Sequence, residues 1–152
     1  MDQIDRKILH ALERDARTSF ADLADMVGLS KTPCWTRVKT LEAEGYITGY
    51  HALLDSKRLG FSLEAFIHVS VDLTMAEQFE AAVIKQPLIL RCHATTGDAD
   101  YTLHIAAADM PGLDRLLRDV ICRLPGVRKF VTSLITRDVK PVARMMYAAD
   151  GL

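Results

Sequence analysis

The sequence predicts an α+β chain made of two differently built halves, and three observations carry that prediction. Up to about residue 45, apolar residues recur at helical spacing, as in Ile4, Ile8, Leu9, Leu12 and again in Cys34, Val38, Leu41. From Phe61 onward, runs of β-branched and aromatic residues alternate with two amphipathic helical stretches. Between them Ser56 to Gly60 is polar and ends in glycine, which places the expected boundary there: residues 1–60 as one domain and 61–152 as the other.

In the first half, Asp2 to Arg14 reads as a helix with Asp2 at its N-cap, where a carboxylate accepts free N–H groups and complements the dipole. Ser19 with Asp22 three residues on resembles a capping box. Leu23, Met26 and Val27 would form the inward stripe of that second helix, Ala24 is small where two helices cross, and Gly28 permits a sharp turn. The third helix is expected to take Thr32 as its cap and Pro33 at its first position, with Cys34, Val38 and Leu41 inside and Gly45 closing it. Its outer face carries Lys31, Arg37 and Lys39 before the first acid at Glu42. Helix, glycine turn, basic helix is the mechanical order of a helix-turn-helix, whose second helix enters the major groove. Tyr46 to Asp55 reads as a strand, the wing of a winged helix-turn-helix.

In the second half, Leu63 to Leu73 reads as a strand, Met75 to Gln86 as a helix stopped by Pro87, and Ile89 to Thr96 with Tyr101 to Ala108 as a hairpin turning at Gly97-Asp98-Ala99-Asp100. Pro111 to Arg123 is a second helix and Val127 to Thr136 a fourth strand. Val139 to Tyr147 reads as a fifth strand, confined to an edge by Pro141. The order β-α-β-β-α-β is the ferredoxin-like plan, with helices on one face of an antiparallel sheet. Val127, Phe130 and Leu134 are expected on the opposite, uncovered face, where an apolar surface calls for a second copy.

Bulk properties exclude several classes. The chain has 152 residues, 49% hydrophobic and 26% charged, without disorder bias. No apolar run is long enough for a membrane span, and the N-terminus lacks a secretory signal, so the cytoplasm is the expected compartment. Three cysteines, widely spaced in apolar settings, read as reduced thiols. Net charge is −1, and residues 1–60 hold nine Lys/Arg against nine Asp/Glu, so any DNA footprint must be local. Cys92 and His93 are adjacent on a strand and point to opposite faces, which argues against a shared metal. No nucleophile elbow, phosphate-binding glycine loop or HExxH occurs, so neither an enzyme nor a resident cofactor or metal is expected.

The runs Gly28-Leu29-Ser30-Lys31-Thr32-Pro33-Cys34, Arg37-Val38 and Leu41-Glu42-Ala43-Glu44-Gly45-Tyr46-Ile47, with Gly97-Asp98-Ala99-Asp100-Tyr101 and Leu124-Pro125-Gly126-Val127, resemble the leucine-responsive/asparagine-regulator (Lrp/AsnC, or feast/famine) family over essentially the whole chain. The resemblance implies a transcriptional regulator of amino-acid metabolism that pairs through the ferredoxin-like domain, joins dimers into rings such as octamers, and binds an amino acid near the dimer–dimer contact. Carried onto this sequence, Gly97, Asp98, Asp100 and Tyr101 would line that pocket, with Ser133 and Thr136 from the facing strand. Lys31 stands where the family often has proline, and Thr132 to Thr136 is more hydroxylic than a leucine responder would need.

For double-stranded DNA the candidate contacts are Ser30, Lys31, Thr32, Thr36, Arg37 and Lys39: Arg37 to fork onto a guanine edge, Lys31 and Lys39 to hold phosphates, and the hydroxyls to reach phosphate or a base. Asp98 and Asp100 are expected to receive an α-ammonium, against the plainer reading as turn residues. Trp35 is expected to pack on the first helix or a neighbouring subunit rather than stack on a base. The competing function is an architectural protein that wraps DNA with little sequence preference. The more distant one is an enzyme or sensor subunit built on the ferredoxin-like domain.

Overall fold

The computed structural model describes residues 1–140 and 144–150. The chain divides into two units: residues 1–53 together with the C-terminal stretch from Lys140, and Leu54–Val139. The division expected at residue 60 therefore falls a few residues earlier, and the last described residues belong with the first unit rather than the second.

In the first unit α1 spans Gln3–Arg14, α2 Phe20–Val27 and α3 Lys31–Ala43. The Asp2 carboxylate accepts from the N–H groups of Ile4 and Asp5, while Asp5 accepts from the Asp2 N–H, a complete capping box. Ser19 caps α2 through the Asp22 N–H. Gly28, at φ 74°, ends α2 in the left-handed region, and Leu29 N–H bonds back to the Ala24 carbonyl before α3 begins. Ile8, Leu23, Ala24, Val27, Cys34, Val38 and Leu41 form one core. Met26, expected inside, is exposed: on so short a helix, Leu23, Ala24 and Val27 already fill the buried arc.

Two further expectations change here. Tyr46 to Asp55 forms no strand, because β-favouring residues without a neighbouring strand have no ladder to join, so this stretch makes no wing. Of the expected fifth strand, residues 141–143 lie outside the described residues, and Met145–Ala149 is a short helix, α6. Its opening N–H groups, Met145 and Met146, donate to the Glu13 carboxylate, and Met146 enters the first unit's core.

In the second unit β1 spans Leu63–Val71, α4 Ala76–Val83, β2 Ile89–Ala94, β3 Tyr101–Ala107, α5 Met110–Asp119 and β4 Val127–Leu134. The sheet is antiparallel throughout, in the order β2-β3-β1-β4, as the ferredoxin-like plan requires. Ala65, Ile67, Val69 and Val71 on β1 and Leu103 and Ile105 on β3 meet Phe79 and Val83 of α4 and Leu113 and Leu116 of α5 in a single core. Register corrects the face assigned to β4. Phe130 lies opposite Val69 and Leu134 opposite Ala65, the helix-covered rows, and Val127 and Phe130 pack on the core. The open face instead carries Phe66, His68 and Ser70 of β1 with Ser133, Val131 and Lys129 of β4, a mixed surface.

Asp72 closes β1 by accepting from the Thr74 hydroxyl and N–H at 2.7 and 3.0 Å and from the Arg128 guanidinium at 2.6 Å. The Thr74 hydroxyl and the Arg128 guanidinium hold its carboxyl down from 3.8 to about 2. A depressed carboxyl stabilises the fold fully above 3.8, and that contribution is lost as pH falls toward 2. Asp72→Asn is therefore expected to flatten the acid limb of the unfolding curve over this window, read by denaturation at stepped pH.

Candidate nucleic-acid interface and effector cleft

The third helix is a surface element with a buried back. Cys34, Val38 and Leu41 are nearly sealed from solvent, and burial pushes the Cys34 thiol up, so it stays protonated and inert. Ser30 occupies the N-cap position in extended conformation without a side-chain cap bond, so the expected cap Thr32 lies inside the first turn and Pro33 is third rather than first in the helix. Pro33 is tolerated there because the first-turn N–H groups have no intrahelical acceptor. At the other end Gly45, at φ 78°, turns the chain, and Ile47 N–H bonds to the Leu41 carbonyl.

Opposite the buried stripe, Thr32, Thr36, Lys39 and Thr40 face outward, with Lys31 exposed at the N-terminal end. The Thr36 hydroxyl donates to the Thr32 carbonyl and that of Thr40 to the Thr36 carbonyl. Lys39 reaches Glu42 at 2.7 Å, and this hydrogen bond lowers the Glu42 carboxyl; Tyr50 donates to the same carboxylate. Arg37 leaves the helix toward α1 and is bound by Asp2 and Asp5. Lys31 has no ion pair among the described residues. Trp35 is 48% exposed and is not part of the core.

In the second unit a cleft of about 550 Å³ opens on the uncovered sheet face beneath the β2–β3 turn. Its floor is His68, Ser70, Thr102, Lys129 and Val131, and its rim is Thr95, Thr96, Asp98 and Ala99. Gly97, at φ 120°, shapes the turn. Thr95 N–H bonds to the Asp100 carbonyl, the Thr95 hydroxyl donates to the Ala99 carbonyl, and Asp100 N–H bonds to the Val69 carbonyl.

The six effector candidates are not brought together in this unit. Asp98 lines the cleft beside the Gly97 bend. Asp100 spends its carboxylate on the Val71 N–H at 2.8 Å, pinning the turn to β1. Tyr101 points to the opposite, helix-covered side, where it is 5% exposed. Its hydroxyl donates to Glu80 at 2.7 Å, and that bond pushes its pKa up to about 12. Ser133 lies on the open face one pleat beyond Val131, opposite Phe66, and Thr136 lies past the end of β4. Sequence reasoning missed His68, Ser70, Thr102 and Lys129. Alternation along β1 was the signal that finds the first two, since Ile67, Val69 and Val71 are buried between them.

A helix-turn-helix with an exposed basic third helix, carried with an α+β unit that has a polar cleft, defines a DNA-binding regulator with a separate ligand domain. The AsnC-type helix-turn-helix domain model matches residues 1–42 and the Lrp/AsnC ligand binding domain model matches residues 64–145. The chain belongs to the Lrp/AsnC family of transcriptional regulators. It is 41% identical to the leucine-responsive regulatory protein of Salmonella typhimurium and 40% identical to that of Escherichia coli K12, each match covering 96% of this chain and 91% of the relative. Among solved structures it resembles the transcriptional regulator NMB0573 of Neisseria meningitidis, solved as an L-Met complex, with TM-score 0.89, 34% identity and 92% of each chain covered. It also resembles E. coli AsnC, with TM-score 0.86, 25% identity and coverage of 95% and 96%. Among the described residues no helix is long and apolar enough to cross a membrane and no three metal-ligating side chains cluster.

Proposed function

We propose that this chain is a cytoplasmic, sequence-specific regulator of amino-acid metabolism whose third helix enters the major groove and whose second unit binds a free amino acid. The observation that carries the DNA half is α3 itself, with one face sealed by Cys34, Val38 and Leu41 and the other offering Lys31, Thr32, Thr36 and Lys39 without an acid before Glu42. Ser30 and Thr32 suit phosphate, Thr36 a base edge, and Lys31 and Lys39 phosphates. Lys31→Ala is expected to weaken binding to all sequences alike and to shallow the salt slope by about one unit. An unchanged slope removes it from the phosphate contacts.

The effector half rests on the cleft. Asp98 supplies an anion for an α-ammonium, Lys129 a cation for a carboxylate, and Ser70, Thr95, Thr96 and Thr102 surround them with hydroxyls. The L-Met complex of the Neisseria regulator supports an amino acid as the class of ligand. Calorimetric titration with an amino-acid panel tests it: one member binds the wild type, and Asp98→Ala weakens that binding at least tenfold with the unfolding midpoint unchanged. Equal binding by both proteins moves the site elsewhere. Asp100→Ala is the poorer probe, because that carboxylate holds the Val71 N–H.

One copy of so lightly charged a helix binds weakly, so the working form is a homodimer assembled into a larger ring such as an octamer, with the amino acid adjusting helix spacing. Light scattering with and without effector tests the assembly.

A further inference from the structure

The strongest cation of the third helix does not face outward. Buried Cys34 precedes Arg37 by three residues and buried Leu41 follows it by four, so its side chain leaves α3 on the core side. Its Nη1 donates to Asp2 Oδ2 at 2.6 Å and to Asp5 Oδ1 at 2.7 Å. Each carboxylate divides its oxygens between two tasks. Asp2 Oδ1 caps the N–H groups of Ile4 and Asp5, and Asp5 Oδ2 takes the Asp2 N–H. Capping turn and guanidinium thus form one closed network between the start of α1 and the middle of α3.

We propose that Arg37 is a positioning residue that locks the α1 capping turn to α3 and sets how α3 meets DNA, instead of reading a base. The end-on fork onto guanine through Nη1 and Nη2 is closed because both Nη1 hydrogens are committed, and the donors left on Nε and Nη2 belong to a side chain held toward α1. The cluster also holds two carboxylates against one guanidinium, a net negative charge that adds no attraction for DNA. This inference rests on α3 being the DNA-contacting helix.

The test uses the full chain and a DNA fragment selected by the wild type from a genomic library. Affinity and preference at each base pair are measured for Asp5→Asn, Arg37→Gln and the double variant, well below their unfolding midpoints. Each single change is expected to lower affinity about fivefold, the scale of an exposed ion pair, the double to lose no more than either single, and the base preference to stay the same. Arg37→Lys, which keeps the charge but not the shared Nη1 geometry, gives the same loss with an unchanged salt slope; it serves if Arg37→Gln does not fold. Tighter binding by Asp5→Asn overturns the proposal, since that is what freeing a base-reading arginine would do. So does loss of preference at one base pair in Arg37→Gln alone. A wild type that binds no fragment at low salt refutes the recognition-helix reading itself, and the proposal with it.

Discussion

Phe79→Ala is expected to cost the second unit about 3–5 kcal/mol, the range for truncating a fully buried aromatic. Phe79 is 0% exposed and lies with its ring centroid 4.7 Å from that of Tyr101, so the change removes the aromatic contact between α4 and β3. The next residue, Glu80, holds the Tyr101 hydroxyl, so the hole opens beside a polar group that would then hydrate. Because Tyr101 directly follows the turn that Asp100 pins to β1, the cleft should lose shape along with stability. Urea unfolding followed by far-UV circular dichroism measures the loss. A cost below about 1 kcal/mol would mean the site collapses far better than its packing implies.

Leu23→Ala is the counterpart in the first unit, with an expected cost of about 2–5 kcal/mol. Leu23 is sealed among Ile8, Val27, Cys34, Val38 and Leu41, at the heart of the three-helix core and beside Ala24, where α2 and α3 meet closely. A cavity there removes the support that fixes α3, so DNA binding should fall with the fold of this unit while amino-acid binding by the second unit persists. Thermal unfolding beside DNA and amino-acid isotherms separates the two. Loss of both bindings together would contradict two separately stabilised units.

What the sequence made legible were features decided locally. The caps at Asp2 and Ser19, the left-handed turns at Gly28 and Gly45 and the buried triplet of α3 follow from neighbours within four residues. The element order β-α-β-β-α-β followed from strand-like runs alternating with helical spacing, each decided within its own segment. What stayed hidden depends on distant residues. The helix at Met145–Ala149 is held by Glu13 from the far end of the chain, which no local pattern reports. Alternation within β4 alone puts Phe130 on the wrong sheet face, because register turns on a single residue and its partner Val69 lies 61 positions away. Tyr46 to Asp55 had the composition of a strand but no partner to make it one.

The same distinction separates the two candidate sites. The candidate DNA-contacting residues Lys31, Thr32, Thr36 and Lys39 sit on one helix, where periodicity assigns them to the outside. It also assigns Arg37 to the outside as a base reader, and the structure corrects this: Asp2 and Asp5 of α1 draw the guanidinium back toward the first helix, which spacing within α3 cannot report. The cleft draws on four segments, so only its rim at Gly97 and Asp98 was visible as a motif, while its floor emerged from strand pairing.

Regulation of DNA binding by an amino acid in the second unit is tested most directly by the binding isotherm of the full chain on its selected DNA fragment, repeated across an amino-acid panel for the wild type and Asp98→Ala. At least one amino acid is expected to shift the wild-type midpoint severalfold and to leave the Asp98→Ala midpoint in place. A wild-type isotherm and assembly state that no amino acid moves would contradict that regulation.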